Sequence, residues 1–142
     1  MRVMVIVKGT PEIEAQTTPP ADMEKMFAEM GKYNEELINA GIMKSGEGLH
    51  PSSKGKRILF DGPRRTVVDG PFAEAKELIA GFWLWEVKDM DEAVEWAKRC
   101  PNPTGVEGQL ELRPIQELDE MGDSFTPELR AQEESQRARL EG

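Results

Sequence analysis

The seven residues Gly81-Phe82-Trp83-Leu84-Trp85-Glu86-Val87 restrict the fold more than any other stretch of this chain. Side chains alternate along a strand, so Trp83 and Trp85 point one way and Phe82 and Leu84 the other. The N-terminal run Val3-Met4-Val5-Ile6-Val7 has the same property, with three valines on one face and Met4 and Ile6 on the other. A strand that is apolar on both faces belongs inside a sheet covered on both sides. Burying one tryptophan stabilises by roughly 2–3 kcal/mol, and leaving such a face in water invites aggregation.

The rest of the chain supplies the cover for one face. After strand 3–7, TPEIEAQTTPPAD reads as a polar connection without periodicity. A helix is expected from about Ala21 to Ala40, with Met23, Met26, Phe27, Met30, Tyr33 and Leu37 at helical spacing and Gly41 as its stop. GIMKSGEGLHPSS reads as a short strand opening into a loop. Lys56–Phe60 and Arg65–Val68, joined by Asp61-Gly62-Pro63-Arg64, read as a β-hairpin. Asp89 with Glu92 three residues later begins a second helix, which places Ala93, Val94, Trp96 and Ala97 inward and stops at Cys100-Pro101. A turn at Asn102-Pro103-Thr104-Gly105 leads to a last strand, Gly108–Pro114. The order β-α-β-(hairpin)-α-β is a ferredoxin-like α+β subunit with an inserted hairpin. Two helices cover only one face of its sheet. A second copy stacked sheet on sheet, giving a homodimer, would cover the other; the C-terminal tail is the alternative cover.

Residues 1–115 form the expected domain and 116–142 a tail. From Glu117 to Gly142 there are eight acidic and three basic residues, so this tail carries −5 of the formal net charge of −9. Thr126 caps and Pro127 opens a polar helix there, with Leu129 and Leu140 as its main apolar anchors; a solvated or partly frayed helix is the expectation, and packing across a partner subunit through Phe125 is the alternative. An acidic chain with no concentrated basic footprint is not expected to bind nucleic acid. No apolar run is long enough for a membrane helix, and the N-terminus alternates like a strand and not like a signal peptide, so a cytoplasmic location is expected.

Chemical motifs are sparse. One histidine, His50, and one cysteine, Cys100, cannot build a zinc site within one chain, and no metal or cofactor is expected. Gly46 and Gly48 match neither the dinucleotide nor the Walker pattern. No G-x-S-x-G surrounds any serine. General acid–base chemistry is the surviving enzymatic option, with Glu47 and Asp69 as candidate catalytic carboxylates near strand ends, beside Glu74 and Glu77. Tyr33, His50, Lys76, Glu77 and Arg113 are candidate ligand-binding groups. Asp69-Gly70-Pro71-Phe72 has a structural reading as well. Pro71 lacks an amide, so Asp69 would reach the amide of Phe72, and Phe72 would be delivered to the core.

The stretch Asp69-Gly70-Pro71-Phe72, continued by Ala73-Glu74-Ala75-Lys76-Glu77, Gly81-Phe82, the DEAVEWAKRCP helix and the closing ELRP, resembles the D-G-P-F branch of the YCII-related superfamily. Gly41 and SGEGL belong to the same likeness, which spans roughly residues 1–115 and extends to bacterial members with acidic tails. The resemblance implies a ferredoxin-like subunit that forms a dimeric α+β barrel, in a branch largely without an assigned reaction. Relatives in the wider superfamily carry a His-Asp pair on or just after the first helix. Here those positions fall near Met30 and Asn39, so the chain departs from that pattern. Association of some members with sigma-factor-like proteins implies a regulatory or ligand-sensing role. Two functions are therefore expected to compete. One is a homodimer that binds a small molecule in a cleft between helix and sheet, with acid–base chemistry there. The other is a non-catalytic regulatory module that engages a protein through its tail.

Overall fold

The computed structural model describes residues 1–102 and 107–142. Strand β1 (Arg2–Lys8) is followed by helices α1 (Pro11–Ala15) and α2 (Pro20–Asn39), then strand β2 (Met43–Gly48). The hairpin β3 (Lys56–Asp61) and β4 (Arg64–Asp69) precedes β5 (Ile79–Glu86), α3 (Met90–Lys98), β6 (Leu110–Pro114) and α4 (Pro127–Glu141). Strands β1, β2, β5 and β6 form one sheet in the order β2-β5-β1-β6, antiparallel throughout, while β3 and β4 pair only with each other. This is the expected ferredoxin-like α+β subunit with an inserted hairpin. The turn expected at residues 102–105 lies outside the described residues from 103 onward.

The core lies on one side of the sheet. Val3, Val5, Trp83, Trp85 and Val87 pack under Tyr33 and Leu37 of α2 and Ala93 of α3. Trp85, Leu37, Val3 and Val5 are fully buried, each stabilising by roughly 1.5–3 kcal/mol. Tyr33 meets Trp83 edge to face at 5.8 Å, and the Trp83 indole N–H donates to Asn34 Oδ1 at 3.0 Å. Helix α2 ends as Gly41 requires. With φ of +76° it turns the chain so that its amide reaches the Ile38 carbonyl and the Ile42 amide reaches that of Leu37. Helix α3 begins where Asp89 accepts from the Glu92 amide at 2.9 Å.

Three expectations need correction. The connection after β1 contains helix α1, capped by Thr10 and opened by Pro11. Five residues are too few to show periodicity, although the Thr-Pro start was there to be read. Phe27 stands 65% exposed, because the packed stripe of α2 narrows to Tyr33 and Leu37 while Met23, Met26 and Met30 are half-buried. Val94 is exposed beside the buried Ala93.

The opposite sheet face carries Met4, Ile6, Phe82 and Leu84. Met4 lies between Leu84 and Arg113 in the register, and Ile6 between Phe82 and Glu111. In the single chain Met4 is exposed and the other three are half-buried. Beyond β6 the tail is tied back by Arg2, whose guanidinium grips Glu117 with two bonds of 3.0 Å. That hydrogen-bonded pairing holds the Glu117 carboxyl below the usual carboxylate range. Helix α4 has no buried residue.

Candidate functional site

The corner Asp69-Gly70-Pro71-Phe72 closes the hairpin against the short turn at Ser52–Lys54. The Gly70 amide donates to the Gly55 carbonyl at 3.0 Å, and the Gly70–Pro71 peptide is cis. A side chain at Gly70 would run into the carbonyl oxygen of Ser52, so glycine is required by space there. The Phe72 amide donates to Ser52 Oγ at 3.0 Å. Ser52 in turn gives both its hydroxyl and its amide to the carboxylate of Glu14 on α1. The corner is thus held by a serine, a glutamate and the absence of a side chain.

Asp69 does not reach the Phe72 amide, as the motif alone suggested; Ser52 takes that bond, because it arrives from a segment about twenty residues earlier in sequence. Asp69 instead faces its cross-strand neighbour Lys56 in a 2.5 Å ion pair that is exposed at both ends. Phe72 does not enter the core either. Half-buried, it carries the Arg57 guanidinium 3.9 Å above its ring, and Arg57 bonds Glu77 at 2.8 Å.

Around this corner is a cavity of about 370 Å³. It gathers two of the seven candidate residues, His50 and Glu77, with Glu14, Arg57, Phe72 and Leu78. The other five lie elsewhere. Lys76 is exposed on the one-turn helix beside Glu77. Tyr33 is in the core, where its hydroxyl donates to the Trp96 carbonyl at 2.6 Å. Burial raises its ionisation far above the ordinary tyrosine value. Glu47 is exposed on the open sheet face, since neighbouring Gly46 points at Trp83 on the other side. Arg113 is on that face at the opposite edge, 3.3 Å from Glu111.

A second, more enclosed cavity of about 330 Å³ lies on the helix side of the sheet, where α1, α2, the end of α3 and the ends of β1 and β6 converge. Val7, Ile13, Met26, Met30, Ala97 and Leu110 make its apolar walls. Lys8, Glu12 and Asp22 add charged groups around them, and Thr10, Thr18 and Gln109 polar ones. Cys100 also lines it, and burial pushes that thiol up to about 11, so it remains protonated at neutral pH and is no nucleophile. None of the seven candidate residues lines this cavity.

Sequence reasoning missed Glu14, Ser52 and Arg57 at the corner and the whole of the helix-side cavity. A signal existed only for α1, in its Thr-Pro cap. The partners of Ser52 lie 38 and 20 residues away, distances at which no local pattern operates. Among the described residues no three His, Cys, Asp or Glu side chains form a group that could hold a metal ion, and no helix is long and apolar enough to cross a membrane.

A solved structure similar in chain path is the 5-chloro-2-hydroxyhydroquinone dehydrochlorinase TftG of Burkholderia phenoliruptrix AC1100, in complex with 2,5-dihydroxybenzoquinone. It is 15% identical, with a TM-score of 0.46 over 84% of this chain and 97% of that one, too distant to transfer chemistry. The uncharacterized protein R00369 of Rhizobium meliloti (strain 1021) is 28% identical over 92 residues, which is 65% of this chain and 74% of the relative. The family model of the YCII-related domain matches residues 1–119, the whole sheet with its helices and hairpin, and the chain therefore belongs to the YCII-related family.

Proposed function

We propose that this YCII-related protein binds a small molecule in the helix-side cavity, as a homodimer packed through the open sheet face. The observation that carries the reading is the cavity itself. Its size and its apolar walls, with polar and charged groups among them to orient a bound molecule, are those of a site for a small organic ligand. The methionines Met26 and Met30 suit a ligand of irregular apolar shape, because their unbranched side chains adapt to it. Binding is favoured over acid–base catalysis. Asp69 stands in solvent, paired with Lys56 on the hairpin, whereas a carboxylate that works as an acid or base at neutral pH needs burial or a close like charge. The dimer reading is supported by Met4, Ile6, Phe82 and Leu84, an apolar patch that a second copy would take out of water.

A thermal-shift screen of aromatic and short aliphatic compounds bearing hydroxyl, amine or carboxyl groups tests the site. Compounds that bind raise Tm by the mass-action relation. The shift should vanish in Met26→Trp, where an indole fills the cavity while Tm without ligand stays close to wild type. Shifts of the same size in both proteins, or none in either, would remove the proposal. Sedimentation of Leu84→Glu tests the dimer: it should be monomeric where the native chain is dimeric.

A further inference from the structure

The hairpin β3–β4 and helix α4 each bury almost nothing, and each presents what the other lacks. A two-stranded hairpin and a fifteen-residue helix are marginal in water by themselves. On one face of the hairpin Ile58, Phe60 and Val67 are 47%, 72% and 58% exposed. The register places Ile58 opposite Val67 and Phe60 opposite Arg65, so these three share that face. On α4, Leu129 and Leu140 are eleven residues apart, three helical turns, and so share one stripe; Leu140 is 87% exposed. Charge follows the same division. From Lys54 to Asp69 there are five basic and two acidic residues, net +3, in a chain of net −9. The tail from Glu117 onward is net −5. Arg64 and Arg65 at the arm's tip have no carboxylate within ion-pair distance among the described residues, and Glu128 and Glu141 at the two ends of α4 have no basic side chain within that distance.

The two elements leave opposite edges of one sheet. The arm follows β2 at one edge and the tail follows β6 at the other. Within a chain those edges are three strand spacings apart, about 14 Å. When two copies stack face to face about a twofold axis running along the strands, each β2 edge lies over the partner's β6 edge. That arrangement brings arm to tail twice per dimer. We infer that the apolar face of the β3–β4 arm, with the basic tip at Arg64 and Arg65, is the docking surface for the acidic α4 of a second copy of this chain. The inference rests on the sheet-face homodimer proposed above.

The test uses the full-length chain. A variant carrying Arg64→Lys and Arg65→Lys, which keeps the charge, is prepared unlabelled and ¹⁵N-labelled and mixed to allow subunit exchange. It is then treated with a carbodiimide that joins lysine to carboxylate directly. Peptides linking residues 64 or 65 of one label to Glu128, Glu133, Glu134 or Glu141 of the other are expected. Separately, Arg64→Glu with Arg65→Glu should raise the dimer dissociation constant about tenfold at low salt, and adding Glu128→Lys with Glu141→Lys should restore it. A dimer whose arm–tail links join only chains of the same label overturns the inference. So does a dimer with no such links and an unchanged dissociation constant. A native chain that sediments as a monomer at every concentration overturns the sheet-face dimer itself, and the docking with it.

Discussion

The helix-facing side of the four-stranded sheet and the β3–β4 arm are built from similar residues and end in opposite environments. Val3, Val5, Trp83 and Trp85 are at most 5% exposed, while Ile58, Leu59, Phe60 and Val67 are all 47% exposed or more. Both sets favour extended chain, and both pair into regular antiparallel ladders. The difference is that α2 and α3 return over β1 and β5, whereas the arm is inserted between β2 and β5 with no helix of its own. Strand formation follows from residue type; burial follows from which elements the topology brings back. In the first region apolar residues stabilise the subunit. In the second they are available to another surface.

The sharpest way to break this comparison is a matched pair of truncations. Trp85→Ala should destabilise by about 3–5 kcal/mol, the cost of a large cavity in a packed core. Phe60→Ser, made in the Leu84→Glu background, should stay within about 0.5 kcal/mol, as exposed substitutions do. Urea unfolding of both measures the contrast, and equal losses would show that the arm is packed within its own subunit.

Gly70→Ala probes the one place where the arm is fixed to the body. The added methyl meets the Ser52 carbonyl, and moving it disturbs the Ser52 bonds to Glu14 and Phe72. A loss of about 2–3 kcal/mol is expected. A neutral result would mean that the corner yields freely.

Tyr33→Phe tests the polar clasp in the core. It removes the bond to the Trp96 carbonyl and should cost about 1–2 kcal/mol. It should also change the alkaline limb. Burial raises the ionisation of Tyr33 and Cys100 in the folded chain. Their contribution is complete below the unfolded values, about 8.5 for cysteine and 10 for tyrosine. It is lost as pH rises, because the unfolded chain releases these protons first. Stability should therefore fall from about pH 9 upward, and the fall above pH 10 should be shallower in Tyr33→Phe. The smallest effect belongs to Asp69→Asn. Its pair with Lys56 is exposed at both ends, so about 0.5 kcal/mol or less is expected.

The fold was largely legible because its signals are local. Alternation in β1 and β5, Gly41 after α2, Asp89 before α3 and Gly62-Pro63 in the hairpin each act within a few residues. The candidate sites were much less so. Of the seven polar residues singled out by type and by nearness to strand ends, only His50 and Glu77 share a cavity, while Tyr33 is spent on a core hydrogen bond. Position near a strand end does not tell which way a side chain points or what meets it, and those depend on segments far away in sequence.

By itself the sequence determined the strands, the two main helices, the inserted hairpin and the mismatch between two-faced strands and one layer of helices. Each follows from periodicity, capping or backbone restriction inside a short window. Only the tertiary structure decided that Ser52 and Glu14 hold the Asp69–Phe72 corner, that Phe72 rests under Arg57 outside the core, and that the more enclosed cavity lies beneath α1. These depend on contacts between elements far apart in the chain, whose geometry is set by how the sheet and helices close on one another.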